Sequence, residues 1–278
     1  MPRFSVVIPA FNEERLIGEC LQSLARQDFV GGYEVIVVDN NCIDDTAEIA
    51  RLYGAIVVPE KTPGVCAARN RGTLTARGQI VVSSDADTVF DAGWLTRIDR
   101  MFRQDPVRVA VAGPCRYPDG PWWGKAYSWI LFELVYRTYR VTGRVGYITA
   151  TNIAFRKDAW SGYDLTGTQG ADELGLLRQL RSRGKVVFDR RNATFTSARR
   201  LTRGLTYNVV VSFLFYYVLA VTLNRMTGRA VIGTAPAFRS DRTWPASRRY
   251  GLKTRLIGIG WLVVAAAATV LTDRLMDS

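Results

Sequence analysis

Gln79-Ile80-Val81-Val82-Ser83-Ser84-Asp85-Ala86-Asp87 is a short apolar, β-branched run that discharges into two carboxylates one residue apart. Its length and composition are those of a buried strand. Side chains alternate along an extended chain, so Asp85 and Asp87 can point the same way across one small gap. Two hard oxygen ligands placed like this suit Mg²⁺ or Mn²⁺, which usually keep several waters and are completed by substrate phosphates. The simplest functional reading is a metal-assisted diphosphate site. Asp also favours turns and caps, so the same Asp-x-Asp reads as plain turn chemistry. The rest of the chain has to decide.

Upstream, Phe4-Ser5-Val6-Val7-Ile8 predicts a strand broken at Pro9, after which Asn12 caps a helix running through about Gln27. Leu16, Ile17, Cys20, Leu21 and Leu24 share one face of it at spacings of three and four, and Glu13 and Glu14 occupy the first turn, where the helix dipole favours them. Glu34-Val35-Ile36-Val37-Val38 predicts a second strand ending on Asp39. A second helix spans Asp44 or Asp45 to Tyr53, with either Asp as cap, and Gly54 stops it. Ala55-Ile56-Val57-Val58 reads as a third strand. Gly64 then opens a helical stretch through Ala67, Ala68, Arg69, Asn70 and Gly72 that ends at Gly78, leading into the strand quoted first.

Four strands alternating with helices predict a parallel, doubly wound sheet with right-handed crossovers. Ligands in such sheets bind beyond the carboxyl ends of the strands. Pro9-Ala10, Asp39 and the Asp85/Asp87 pair all fall on that edge, which is harder to dismiss than one Asp-x-Asp. No G-x-G-x-x-G follows the first strand and no G-x-x-x-x-G-K-[ST] occurs, so the usual dinucleotide and P-loop sites are disfavoured. A nucleotide site built from carboxylates and metal remains.

Composition narrows the partners. The chain of 278 residues is 48% hydrophobic and 22% charged, which excludes a disordered polymer. Lys+Arg of 37 against Asp+Glu of 25 gives a formal +12, a balance that suits nucleic acid, anionic lipid or phosphorylated ligands. With no histidine, a zinc site or histidine-based triad is excluded. Cys20, Cys42, Cys66 and Cys115 lie far apart and read as reduced thiols of a cytoplasmic domain. The five-residue apolar run after Met1-Pro2-Arg3 is too short for a signal-peptide core.

Val107 to Gly113 predicts another strand. Trp122 to about Val141 is dense in Trp, Tyr, Phe and Leu, with Glu133, Arg137, Arg140 and Arg144 spaced four, three and four apart. That pattern suits a helix lying in a membrane interface and equally a core helix with one wet face. Gly170-Ala171-Asp172-Glu173-Leu174 opens a helix with Leu176, Leu177 and Leu180 before Gly184. Its acidic pair, read from position alone, is helix-dipole chemistry at a helix N-terminus. Lys185 to Phe188 is again strand-like.

The motifs together resemble the GT-A glycosyltransferases of family 2, the inverting enzymes that use nucleotide sugars. The resemblance rests on Val6-Val7-Ile8-Pro9-Ala10-Phe11-Asn12-Glu13, on Glu34 to Asn41 with Asp44-Asp45-Thr46, on Gly64 with Ala67-Ala68-Arg69-Asn70, and on Ser84-Asp85-Ala86-Asp87. It covers roughly residues 4 to 190 and extends to the acceptor-side strand in Ala150-Thr151-Asn152-Ile153-Ala154-Phe155-Arg156. It implies that Pro9, Ala10 and Glu13 border the nucleoside, that Asp39 contacts base or ribose, and that Arg69 lies near the base or diphosphate. Asp87 would coordinate the metal, with Asp85 beside it at the sugar or ribose and Ala86 bordering the nucleotide sugar. One of Asp172 and Glu173 would be the base: register favours Glu173, residue type favours Asp172. Position alone also allows Glu13 and Arg69 to be solvated helix-end residues.

The fold class expected is therefore α/β, GT-A or Rossmann-like, with a mixed, mostly parallel sheet flanked by helices. Residues 1–200 form the catalytic domain, its nucleotide-sugar half at about 1–115 and its acceptor half at about 116–200. Residues 201–278 differ: Val209 to Leu223 and Leu256 to Leu271 are apolar runs slightly shorter than the roughly 20 residues of a comfortable span, joined by an arginine-rich connector. They predict membrane association, with one true span at least, although a buried helical hairpin would read alike. Arginines around apolar runs point to anionic lipid headgroups, and no nucleic-acid-binding module is visible. The expected activity is metal-dependent, inverting transfer of a sugar from a nucleotide diphosphate donor to a lipid-linked or glycan acceptor at the cytoplasmic face of the cell membrane. The rivals are a sugar-phosphate nucleotidyltransferase, which would need a Gly-rich basic loop where Pro9-Ala10-Phe11-Asn12-Glu13 stands, and a non-catalytic membrane scaffold.

Overall fold

The structure, a computed structural model, describes residues 1–165, 171–204 and 207. In chain order its elements are β1 (Phe4–Ala10), α1 (Ile17–Ala25), β2 (Tyr33–Asp39), α2 (Thr46–Leu52), β3 (Ile56–Pro59), α3 (Val65–Thr75), β4 (Ile80–Ser83), β5 (Thr88–Phe90), α4 (Trp94–Gln104), β6 (Arg108–Ala112), β7 (Cys115–Arg116), α5 (Trp122–Thr142), β8 (Ile153–Arg156), α6 (Leu176–Arg183), β9 (Lys185–Phe188) and β10 (Thr194–Thr196). A seven-stranded sheet has the order β3-β2-β1-β4-β8-β6-β9, and a small sheet has the order β5-β10-β7. The described residues divide into two compact units, one built on Met1–Cys115, Ile148–Leu165 and Asp172–Thr196, the other on Arg116–Tyr147 with residues 197–204.

In the first unit β3, β2, β1 and β4 run parallel, and β6 and β9 run parallel to each other. β8 is antiparallel to both β4 and β6. The strands read as continuous apolar runs because both faces of the sheet are covered: Ile80, Val81 and Val82 are wholly buried. The reversal of β8 decides which residues reach the ligand-binding rim. Its first residue, Ile153, pairs with Ser83, the last residue of β4, so the segment just before β8 emerges at the carboxyl edge of the parallel strands.

Two boundaries differ from the sequence expectation. β1 does not break at Pro9 but continues to Ala10, with Pro9 opposite Val38. The carbonyls of Val7 and Ala10 accept from Ser84 N and Asn40 N respectively, so residues 7 and 9 face the β4 side, where pairing with β1 stops at Val7. Pro9 thus has no ladder bond to lose there. α1 starts at Ile17, not after Asn12. Asn12 adopts φ 51°, and its Oδ1 accepts from Ile43 N at 2.8 Å, so the segment before the helix is tied to the β2–α2 loop instead of winding into a first turn.

α3 packs on β1 and β2 through Gly72, where a Cβ would lie 2.4 Å from Val7 Cγ1 and 2.9 Å from Val38 Cγ2. In the second unit α5 buries Trp123, Ser128, Leu131, Phe132 and Val135 and ends at Gly143 in the left-handed region, φ 70°. Trp123 packs with Ala198 and Leu201. Among the described residues no helix is long and apolar enough to cross a membrane. The runs 209–223 and 256–271, on which the membrane-span expectation rests, lie outside the described residues.

Candidate active site

Beyond Ser83 the chain leaves the sheet and turns at Ala86-Asp87 before β5. The Asp-x-Asp is therefore a turn, not an extended alternation, and each carboxylate has its own partners. Arg69, one turn before Gly72 on α3, is 3% exposed. Its Nη2 donates to Asp85 Oδ1 at 2.5 Å and its Nε to Ser83 Oγ at 3.1 Å. This excludes the solvated helix-end reading of Arg69: burying a guanidinium is tolerated because it is paired and hydrogen-bonded. The other Asp85 oxygen accepts from Thr151 Oγ1 at 3.0 Å, and Thr151 in turn accepts from Thr149 Oγ1 at 3.1 Å.

Thr149-Ala150-Thr151 is the segment that reaches the rim because β8 runs backwards. Ser84 Oγ donates to the Thr151 carbonyl at 3.2 Å, and Asn152 is fixed by Trp94 Nε1 at 3.0 Å and by its own amide to the carbonyls of Pro114 and Asn192. Between the two threonines, Ala150 N donates to Glu173 Oε1 at 3.1 Å. Glu173 lies in a π-turn, Ala171–Gly175, that precedes α6. The side chain of Asp172 lies outside the described residues. Asp87 Oδ1 accepts from Thr196 Oγ1 at 2.9 Å, and Thr196 accepts from Thr88 Oγ1 at 3.1 Å.

Ala10, Glu13 and Asp39 belong to a second group, where the β1–α1 and β2–α2 connections meet. Asp39 Oδ1 accepts from Cys42 N at 2.8 Å. Cys42 Sγ donates to the Ala10 carbonyl at 3.5 Å and accepts from Asn12 N at 3.3 Å. Glu13 N donates to Thr46 Oγ1 at 2.6 Å, which places Glu13 in the connection before α1, outside the helical first turn expected for it. Asp45 stands at the N-cap of α2 without a side-chain capping bond, and Asp44 Oδ1 accepts from Thr46 N at 3.1 Å. Pro9 is half-buried at the β1 end, and Ala86 is buried between the two aspartates.

Cys20, on α1, lies beneath the Asp-x-Asp turn with Sγ 3.6 Å from the Asp85 carbonyl. Burial pushes its thiol far up, and the charges of Asp87 and then Asp85 add to the effect. Both carboxylates are therefore felt at one buried point. Burial likewise raises Cys42 to about 11, with the neighbouring Asp39 adding to it.

Two residues that hold these carboxylates, Thr151 and Thr196, carry no signal of that role in the sequence. Each is a threonine in or beside a strand and gains its position only from which strand lies next to which.

No group of three or more acidic or thiol side chains suited to a metal occurs among the described residues. A hard divalent cation needs only one or two carboxylates when substrate phosphates complete its shell. Asp87, oriented by Thr196, fits that role. Asp85 already accepts one hydrogen bond on each oxygen, from Arg69 and from Thr151.

Comparison with known proteins fixes the class. The fold is that of the GT-A glycosyltransferases. The mannosyltransferase PcManGT from Pyrobaculum calidifontis, in complex with GDP-Man and Mn²⁺, superposes with TM-score 0.61 and 20% identity over 96% of this chain and 74% of that one. Glucosyl-3-phosphoglycerate synthase from Mycobacterium tuberculosis, in complex with Mn²⁺, UDP-glucose and phosphoglyceric acid, gives 0.58 at 21% identity over 81% and 80%. The model of Glycosyl transferase family 2 matches residues 5–162, more than half of the chain, and the protein belongs to that family. An uncharacterized glycosyltransferase of M. tuberculosis is 42% identical over 94 residues, 34% of this chain. The glycosyltransferase AglE of Haloferax volcanii is 36% identical over 104 residues, 35% of this chain. The matched segments span 41% and 34% of those relatives' lengths.

Proposed function

We propose that this protein transfers one sugar from a nucleotide diphosphate sugar to an acceptor hydroxyl or phosphate with inversion at the anomeric carbon. Glu173 is the base, and Asp87 holds Mg²⁺ or Mn²⁺. The observation that carries the reading is the Thr149-Ala150-Thr151 segment. Through the Thr151 hydroxyl it holds Asp85, and through the Ala150 N–H it holds Glu173, so the two carboxylates are held by adjacent residues of the turn that leads into β8. Family membership supports the transfer, and the nucleotide sugars bound to PcManGT and to glucosyl-3-phosphoglycerate synthase support the donor class.

In this reading Pro9, Ala10, Glu13 and Asp39 border the nucleoside. Asp85, clamped by buried Arg69, accepts from a donor hydroxyl. Glu173 takes the proton of the acceptor hydroxyl as its oxygen bonds to the anomeric carbon. The bond from that carbon to the diphosphate oxygen breaks, and the nucleoside diphosphate leaves with the electron pair. When bound, the metal neutralises charge on that leaving group.

The acceptor is lipid-linked, or a glycan on a lipid, and the site faces the cytoplasm at the cell membrane. The support is the pair of apolar runs with their arginines, and it comes from sequence alone. Removing a positioned general base costs about 10²- to 10⁴-fold. Glu173→Gln should therefore lower transfer by about 10²- to 10⁴-fold while donor binding persists. Full transfer by Glu173→Gln, with loss in Asp172→Asn, would move the base to Asp172.

A further inference from the structure

α5 carries chemistry that the catalytic reading does not use. Besides its buried stripe, the helix shows a face on which Lys125, Trp129, Tyr136 and Arg140 recur at spacings of four, seven and four. Trp129 is 56% exposed, and Lys125, Arg137 and Arg140 are exposed beside it. The acidic residue of the helix, Glu133, receives a hydrogen bond from Arg137 Nε at 2.8 Å. Val141, 86% exposed, stands in the last turn, and exposed Arg144 continues the composition past the helix end. A helix with a solvated face can carry the cations, but it leaves the large exposed indole without a role. An indole among guanidinium and ammonium groups is what a bilayer interface selects: the ring sits at headgroup depth and the cations meet lipid phosphates.

We propose that this face of α5 docks on an anionic bilayer surface, with Trp129 entering the headgroup layer and Lys125, Arg137 and Arg140 meeting lipid phosphates. The excess of exposed cations over the single, already engaged carboxylate selects an anionic over a neutral surface. The proposal concerns binding alone, so it can fail while the transfer reading stands, and the reverse.

The apolar runs after residue 208 can hold the chain on a membrane by themselves, so the test has to read α5 itself. Full-chain protein and its Trp129→Phe variant are mixed with vesicles containing bromine-labelled phosphatidylcholine, with or without phosphatidylglycerol, and tryptophan fluorescence is followed. The expected result is a quenched component that disappears in Trp129→Phe, requires phosphatidylglycerol and fades at high salt. Each near-surface cation is worth about a five-fold factor. Lys125→Gln with Arg140→Gln should therefore lower the vesicle affinity read from that component about 25-fold. Identical quenching in wild type and Trp129→Phe, or equal quenching by neutral vesicles, overturns the proposal. So does an unquenched Trp129 whose replacement changes the mass of the protein in solution, since the face would then belong to a second copy of the chain.

Discussion

Replacing Thr151 by Val removes one hydroxyl and keeps the shape of the side chain. Thr151 is 7% exposed, and its hydroxyl links Asp85 Oδ2 to Thr149 Oγ1, so valine leaves both without this partner. A hydrogen bond to a charged group contributes about 1.5–3 kcal/mol. Asp85 keeps Arg69 but loses the donor that fixes its second oxygen. About 2 kcal/mol of destabilisation corresponds to roughly 4–8 °C in Tm for a domain of this size. If Asp85 holds the donor, the same loss appears as about a 10- to 100-fold fall in kcat/KM, chiefly through KM for the nucleotide sugar. Steady-state hydrolysis of the donor, with thermal unfolding in parallel, separates the two effects. Thr151→Ser should recover most of both. A Thr151→Val protein with wild-type donor KM and unchanged Tm would refute the positioning role of the hydroxyl.

Thr196→Val should weaken the hold on Asp87 and raise the Mn²⁺ concentration for half-maximal activity about 10- to 100-fold, the usual cost of losing a partner of a metal ligand. Gly72→Ala drives a methyl into Val7 and Val38. It should destabilise the fold by about 1–3 kcal/mol and, by lifting α3, reduce donor affinity through Arg69; a urea midpoint equal to wild type would contradict the close approach. Glu34 tests the pH dependence. Burial opposes its charge, but the Ser5 hydroxyl at 2.6 Å, the Arg77 N–H at 2.7 Å and the Arg77 guanidinium outweigh it and lower its carboxyl below the ordinary 4.5. A depressed folded-state value stabilises above the unfolded one and is lost as pH falls. The stability gap between wild type and Glu34→Gln should therefore be full near neutrality and close below about pH 4.5, as urea titrations at several pH values would show.

The strands of the first half are legible because each is a short β-branched run ending on a turn or carboxylate, and the parallel order follows from the helices between them. Arg69, Asp85 and Asp87 can be named because they stand at strand ends or at helical spacing from a glycine. What sequence does not show is pairing. Nothing in Ile153 to Arg156 says that β8 runs against β4, yet that reversal carries Thr151 to Asp85 and Ala150 to Glu173. Pro9 reads as a strand breaker because the side its nitrogen faces depends on where β4 ends. Asn12 reads as a cap because Asn suits that position, whereas its tertiary bond to Ile43 wins.

Asp87 and a nucleotide sugar are central to the proposed transfer. The most direct measurement is nucleotide release from a panel of UDP-, GDP- and dTDP-sugars by the purified full chain, with Mn²⁺, with Mg²⁺ and with chelator, beside Asp87→Asn. The predicted result is release from one nucleotide class that needs the metal and is lost in Asp87→Asn. Release that persists at the wild-type, metal-supplied rate in Asp87→Asn or in chelator would contradict it, and no release together with no nucleotide binding would leave a family 2 fold serving as a scaffold.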